Sequence, residues 1–268
     1  MRRILVQADA SPAAEQRIAT ALSLAERMDG DVVALIDTPM IRYIATDPFG
    51  GAYLAKEAFD AAREKDEGLA EGLQSRFSGK RLDVQMSEAD PLIALADGAR
   101  FADLVIVGLG GEPVARAHEA ARLAGDLALE ARVPVLALPE GANFDPTGAA
   151  VVAWNDSAES ATAMRAALPL LKLASRVTIL SIESEAEPIA TASAIAYLKA
   201  HGVNAEVASQ RVGARDDRDA ALAQAVASSG AGMLVMGAYG RSRLREALFG
   251  GATRRLLDDA PLPLLLAH

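Results

Sequence analysis

Short apolar runs and longer amphipathic stretches take turns along this chain. Residues 3–8, Arg-Ile-Leu-Val-Gln-Ala, read as a strand that ends at Asp9-Ala10-Ser11-Pro12. Ser11 can cap the helix that follows, with Pro12 at its first position. That helix is predicted to reach about Met28, with Ile18, Leu22 and Ala25 near helical spacing. Asp29-Gly30 makes a turn, and residues 31–37 read as a second strand. Residues 38–55 hold Pro39, Pro48, Gly50, Gly51 and several aromatics, and they read as a long loop. A charged helix over 56–77, a strand over 82–87 and a helix over 91–100 come next. The strand 104–107 ends at Gly108-Leu109-Gly110-Gly111, and a helix over 115–130 leads to a last strand over 133–138. Strands and helices alternating at this interval predict a parallel sheet with helices on both faces.

The pattern then starts again. Ala150-Val151-Val152-Ala153-Trp154-Asn155-Asp156-Ser157 matches the first strand and its loop, and residues 177–182 match the second strand. Residues 234–236 match 104–106, and 262–267 match 133–138 with a proline at the same place in each. Ser157 stands 146 positions after Ser11, whereas Gly237 stands 129 after Gly108, as Pro263 does after Pro134. The first half therefore carries 17 extra residues, for which the Pro/Gly-rich stretch after Asp37 is the natural place. Residues 139–148 have linker composition, which predicts two domains, 1–142 and 147–268, each one copy of the same α/β unit.

One stretch of the second half points to a ligand. An apolar run ends at Gly237, Gly240 follows three positions on, and Gly250-Gly251 precedes a helix expected over 252–259. Bare N–H groups at a helix start suit a phosphate. No Gly-Lys-Ser/Thr closes the stretch, so it is not a P-loop, nor is it G-x-G-x-x-G. On spacing alone, a phosphate cradle and a tight strand-to-helix connection fit equally. In open parallel sheets, ligands bind beyond the carboxyl ends of strands where the strand order reverses. The loop at Asn155-Asp156-Ser157 and the loop from Gly237 to Thr253 would then face one crevice.

Composition narrows the field. A net charge of −9 argues against nucleic acid as partner, and with no cysteine there is no disulfide or thiolate metal site. Asp9 interrupts the first apolar run, so it is a strand and not a signal peptide, and no apolar run is long enough to span a membrane. The expectation is a soluble, cytoplasmic protein. His118, His201 and His268 have no companions at metal spacing. There is no Gly-x-Ser-x-Gly elbow, and the adjacent pairs Asp216-Asp217 and Asp258-Asp259 do not face each other as paired catalytic carboxylates would.

On these residues the chain resembles a tandem universal stress protein, and the likeness covers both halves. The nucleotide-binding members of that family carry G-x2-G-x9-G-(S/T) after the fourth strand. Here this reads Gly237, Gly240 and Gly250, with Gly251 in the Ser/Thr place and Thr253 two further on. The resemblance implies two adenine-nucleotide-hydrolase-like (flavodoxin-like) α/β domains, each a five-stranded parallel sheet with helices on both faces. It implies ATP or AMP, with or without magnesium, in the C-terminal domain only. Ala153, Ile182 and Met236 would wall the adenine. Asn155 stands where the family's first-strand aspartate meets the adenosine, and Arg241, with Arg243, would screen phosphate charge. In the first half, Asp9 and Ser11 are kept, but after Gly108 and Gly111 the nine-residue count lands on Ala121-Arg122, with Gly125 four residues late. That half reads as a degenerate nucleotide motif. Family members pair their last strands between subunits, so here the two last strands could pair within one molecule as a pseudo-dimer, or the chain could form a homodimer. The function implied is a stress-response sensor or regulator acting through protein partners. A nucleotide-free pseudo-dimeric scaffold and a weak ATPase stand as alternatives, and no reaction beyond slow ATP hydrolysis is expected.

Overall fold

The computed structural model describes residues 1–46, 51–110, 114–184, 189–213, 217–239 and 252–268. They fall into two compact units, Met1–Ile106 and Val107–His268. Both are α/β, with mostly parallel strands joined by helices.

The first unit contains β1 (Arg3–Ala8), α1 (Pro12–Arg27), β2 (Asp31–Asp37), a 3-10 turn (Met40–Tyr43), β3 (Ile44–Thr46), β4 (Ala52–Leu54), α2 (Lys56–Arg76), β5 (Leu82–Ser87), α3 (Pro91–Ala99) and the start of β6 (Leu104–Leu109). Its sheet runs β6-β1-β2-β5, all parallel. β1, β2 and β6 are buried on both faces, which is why their sequences are almost continuously apolar. β5 ends the order and alternates in exposure instead. Ser11 caps α1 as its sequence predicts, its side chain accepting from the Ala14 N–H, and Pro12 begins the helix. Ala14, Ile18, Ala21 and Ala25 form the buried stripe of α1.

The stretch expected to be a loop carries structure of its own. After the 3-10 turn, β3 and β4 pair antiparallel in a separate two-stranded ribbon, Ile44 opposite Leu54 and Thr46 opposite Ala52. Isoleucine, threonine and tyrosine favour this pairing, and prolines and glycines nearby conceal it from a composition reading. Tyr43 meets Phe59 of α2 edge-on, their ring centroids 5.5 Å apart. Pro48 and Gly50 lie outside the described residues.

The second unit continues through α4 (Val114–Glu130), β7 (Val135–Pro139), β8 (Ala149–Ala153), α5 (Ala158–Leu171), β9 (Arg176–Ser184), α6 (Ala192–Ala200), β10 (Ala205–Val212), α7 (Arg218–Ser228), β11 (Met233–Gly237), α8 (Ala252–Asp258) and β12 (Leu264–Ala267). Its strand order is β10-β9-β8-β11-β12-β7. All neighbours are parallel except the last pair, in which β12 runs antiparallel to β7 with Leu264 opposite Ala137, Leu265 opposite Leu136 and Leu266 opposite Val135. α4 packs on α8. The last helix and strand of the first repeat thus pack with those of the second. For this reason the spatial border falls at 106/107, well before the linker-like residues 139–148. Pro134 and Pro263 sit just ahead of β7 and β12, where they cost the ladder no donor. The Pro263 carbonyl accepts from the Leu234 N–H at 2.9 Å. Among the described residues, no helix is long and apolar enough to cross a membrane.

Leu136 is fully buried and lies at the middle of the antiparallel pair. Leu136→Ala is expected to lower the unfolding free energy by about 2–5 kcal/mol, measured by chemical denaturation, whereas Ile93→Ala, at a side chain 56% exposed, should change it by less than about 1 kcal/mol.

Candidate functional site

β8 lies between β9 and β11. The chain leaves β8 towards β9 on one side and returns from β10 to β11 on the other, so the loops after β8 and β11 diverge at the reversal of strand order. The register fixes what lines that place. Val235 pairs with Val152, and Ala153 pairs with Leu180. Partners in a parallel pair project to the same face and successive residues to opposite faces. Ala153, Ile182 and Met236 therefore share one face near the carboxyl ends of three neighbouring strands. Ile182 and Met236 are buried and Ala153 half-buried.

Gly237 faces the other way. A Cβ there would lie 2.6 Å from the carbonyl carbon of Glu159 and 2.8 Å from the Ser160 nitrogen. The first turn of α5 thus presses against the β11 backbone, and the glycine has a packing reason independent of any ligand. The start of α5 is held by a capping box: the Ser157 hydroxyl accepts from the Ser160 N–H, and the Ser160 side chain accepts from the Ser157 N–H.

Both loops at the reversal carry a non-glycine residue in the left-handed region, Asp156 at φ 57° and Tyr239 at φ 51°. Such conformations cost about 1–3 kcal/mol each and cluster at functional places. Asn155 is exposed, its Oδ1 accepting from the Ser157 N–H at 3.2 Å. Trp154 is buried and donates through Nε1 to the Ala190 carbonyl at 2.8 Å. The Tyr239 hydroxyl reaches α4, where a Cβ on Gly125 would stand 2.3 Å from it. Gly125, out of place as a phosphate glycine, makes room for that phenol. Thr253 is the second residue of α8 and is 7% exposed. Gly240, Arg241, Arg243, Gly250 and Gly251 lie outside the described residues, as does Gly111 of the first repeat. Among the described residues, no group of three His, Asp or Glu side chains is arranged to hold a metal ion.

The first repeat keeps the backbone frame and changes the side chains. Gln7 pairs with Leu35 as Ala153 pairs with Leu180, so Asp37, two residues on, occupies the step that Ile182 occupies in the second repeat. The spacing of 146 likewise matches Gln7 with Ala153, Asp9 with Asn155, and Arg17 with Ala163. Arg17 is buried, and its Nη2 donates to Asp9 Oδ2 at 2.7 Å while its Nε donates to the Gln7 carbonyl at 3.2 Å. The Ser11 N–H donates to the other Asp9 oxygen at 2.7 Å. Burial works against the ionised Asp9, but the Arg17 charge and the Ser11 hydrogen bonds outweigh it and hold the carboxyl below its usual range. The second repeat has a neutral pair instead, Asn155 with the fully buried Ala163. Asparagine at 155 thus accompanies the loss of a balancing cation. Asp37 behaves oppositely. Burial raises its pKa to about 6, with Arg42 opposing and Asp9, Asp66 and Asp90 reinforcing the rise. Arg17 and Asp37 escape a motif search because neither belongs to a glycine motif; the register between repeats is the signal that finds them.

Gly237→Ala is expected to cost about 1–3 kcal/mol of stability with no nucleotide present, since backbone must move to admit the methyl group. Denaturant midpoints of the variant and wild type, both stripped of small molecules, check this.

The model of the universal stress protein family matches residues 1–139 and again 147–268. Among solved structures, a universal stress protein from Archaeoglobus fulgidus DSM 4304 superposes with a TM-score of 0.69 at 10% identity, covering 99% of this chain and 97% of that one. A protein of unknown function from Pseudomonas aeruginosa PAO1 superposes with a TM-score of 0.61 at 15% identity, covering 100% of this chain and 92% of its own. At these identities the likeness speaks for the fold. No curated protein matches the sequence. The two family matches span nearly all of the chain, and it belongs to the universal stress protein family, with two such domains in one polypeptide.

Proposed function

We propose that this protein binds an adenine nucleotide, ATP or AMP, in its C-terminal repeat and acts as a stress-response sensor through protein partners. The observation that carries the reading is the shared face of Ala153, Ile182 and Met236 at the carboxyl ends of β8, β9 and β11, where the strand order reverses. An apolar face of this kind suits a purine, because aliphatic side chains supply contact without competing for its hydrogen-bonding edge. Asn155 is exposed after β8, and while its Oδ1 accepts from the Ser157 N–H, its amide nitrogen would be the group to bond a ribose or a ring nitrogen. The strained backbone at Asp156 and Tyr239 brackets the same place. The family's glycine pattern at Gly237, Gly240 and Gly250, with Thr253 beyond it, would supply the phosphate end at the start of a helix.

The first repeat supports the reading by contrast. With Gln7, Asp37 and the Asp9–Arg17 pair at the matching positions, it offers no apolar wall, and its carboxylates would repel phosphate. One nucleotide per chain follows. The pairing of β7 with β12 gives the two repeats the strand contact of a pseudo-dimer, so the sensor would work as one molecule, with homodimerisation a further step.

Isothermal titration of the wild type with ATP and with AMP, with and without magnesium, is expected to give a single site. Ile182→Asp, which copies the first repeat's residue into the second, should weaken binding at least tenfold, on the order of 1.4 kcal/mol or more, while the circular dichroism spectrum stays unchanged. Wild-type affinity in the folded variant would remove the adenine from this face.

A further inference from the structure

Where the chain leaves β11, it is held from two directions. Ala238 and Tyr239 follow the strand, and Gly240, the next glycine of the family's pattern, comes after them. Ala238 is fully buried and fastened on both sides: its N–H donates to the Ala267 carbonyl at 2.8 Å, and its carbonyl accepts from His268 Nδ1 at 2.8 Å. Tyr239 is fastened by its side chain. The phenol lies against Gly125 on the buried face of α4, close to Leu257 of α8. A methyl group on Gly125 would overlap the Tyr239 hydroxyl and stand 3.3 Å from both Tyr239 Cζ and Leu257 Cδ1.

This seat exists on one side of the duplication only. At the offset of 129, Tyr239 matches Gly110 and Gly125 matches Arg254. Gly110 has the same left-handed backbone, at φ 87° against 51° for Tyr239, and glycine adopts it without steric cost. The second repeat thus keeps a strained tyrosine where a glycine would be relaxed, which ties the choice of residue to its side chain. Gly125 carries a cost of its own, since glycine inside a helix is less favourable than the alanines at 121, 124 and 128 that are buried with it. Arg254, in the matching place on α8, is mostly exposed, pairs with Asp258 at 3.5 Å and offers no notch. Two locally unfavourable residues therefore meet in one contact, one from each repeat, beside the proposed nucleotide site.

We propose that this seat fixes the course of the chain as it leaves β11, making α4 of the first repeat a working part of the second repeat's nucleotide site. The ligand rests on the nucleotide reading above; the seat itself does not. With the phenol seated, Gly237 is held against α5, Ala238 against the end of β12, and Tyr239 against α4. The residues expected to meet phosphate follow directly in sequence, so their placement inherits that course. Displacing the phenol changes affinity for the phosphate end of the ligand and leaves the adenine face of Ala153, Ile182 and Met236 as it is. The second repeat without α4 carries an incomplete site.

The test compares four full-length proteins: wild type, Gly125→Ala, Tyr239→Phe and the double variant. Gly125→Ala drives a methyl group into the hydroxyl. Tyr239→Phe removes that hydroxyl and leaves the two 3.3 Å contacts, which small side-chain shifts relieve. Without ligand, hydrogen exchange at the Ala238 amide should accelerate about tenfold in Gly125→Ala and return in the double variant to the rate of Tyr239→Phe alone. In titration calorimetry the ratio of ATP to adenosine affinity should fall about tenfold in Gly125→Ala and be restored in the same way, with adenosine binding alike to all four. Wild-type exchange in Gly125→Ala, or a loss that the double variant does not restore, would overturn the seat. Equal losses for ATP and adenosine would overturn its action on the phosphate end. A wild type that binds neither ligand removes the nucleotide reading instead, and the exchange cycle then decides the seat alone, restored protection supporting it and unrestored protection overturning it.

Discussion

An apolar strand with an open edge must find hydrogen-bond partners, and in this chain the last strand of each repeat finds the other. β7 and β12 are short, almost entirely buried, and paired antiparallel. A lone domain ending in such a strand would present its backbone N–H and carbonyl groups to any neighbour. Duplication within one chain supplies the partner covalently, and the packing of α4 on α8 follows from it. Even the spatial border inside β6, far ahead of the linker, reflects how completely the end of the first repeat is absorbed into the second unit.

On this frame the repeats keep the same backbone and diverge in what they place at the carboxyl ends of their strands. The second offers Ala153, Ile182 and Met236 on one face with a neutral Asn155 at the rim. The first offers Gln7 and Asp37, with Asp9 occupied by a buried arginine. The changes are coupled in charge: an aspartate comes with Arg17, and an asparagine comes with Ala163. Arg17 is buried while the Asp9 side chain is about half exposed, so the costly case is the arginine left without its carboxylate. The surroundings of Asp37 show the opposite case, a carboxyl whose neighbours disfavour its charge.

Much of the architecture was legible because buried parallel strands announce themselves. The runs at 4–6, 32–36 and 104–107 are apolar without interruption, and the Ser11-Pro12 cap marks a helix start plainly. β10 gave no such signal: as an outer strand its residues alternate in exposure, and glutamate, glutamine and arginine dilute the apolar period. The β3–β4 ribbon was concealed by prolines and glycines around it. At the site, the glycine spacing located Gly237 but not its reason, since close approach of α5 depends on tertiary packing. Gly125 illustrates the same limit, being explained by side chains more than a hundred residues away, Tyr239 above all and then Leu257. Asp37 became visible only when strand register gave it the step that Ile182 holds in the second repeat, and Arg17 only when the 146-residue spacing matched it with Ala163.

The central claim is that one scaffold used twice holds one nucleotide site. The most direct measurement denatures freshly purified protein, separates any released nucleotide by chromatography, and counts it per chain after saturation with ATP or AMP. About one adenine nucleotide per chain is predicted. Two per chain would mean that Asp37 and the Asp9–Arg17 pair do not close the first repeat to nucleotide. None, together with no thermal shift on adding ATP and magnesium, would contradict the account and leave both repeats as a scaffold.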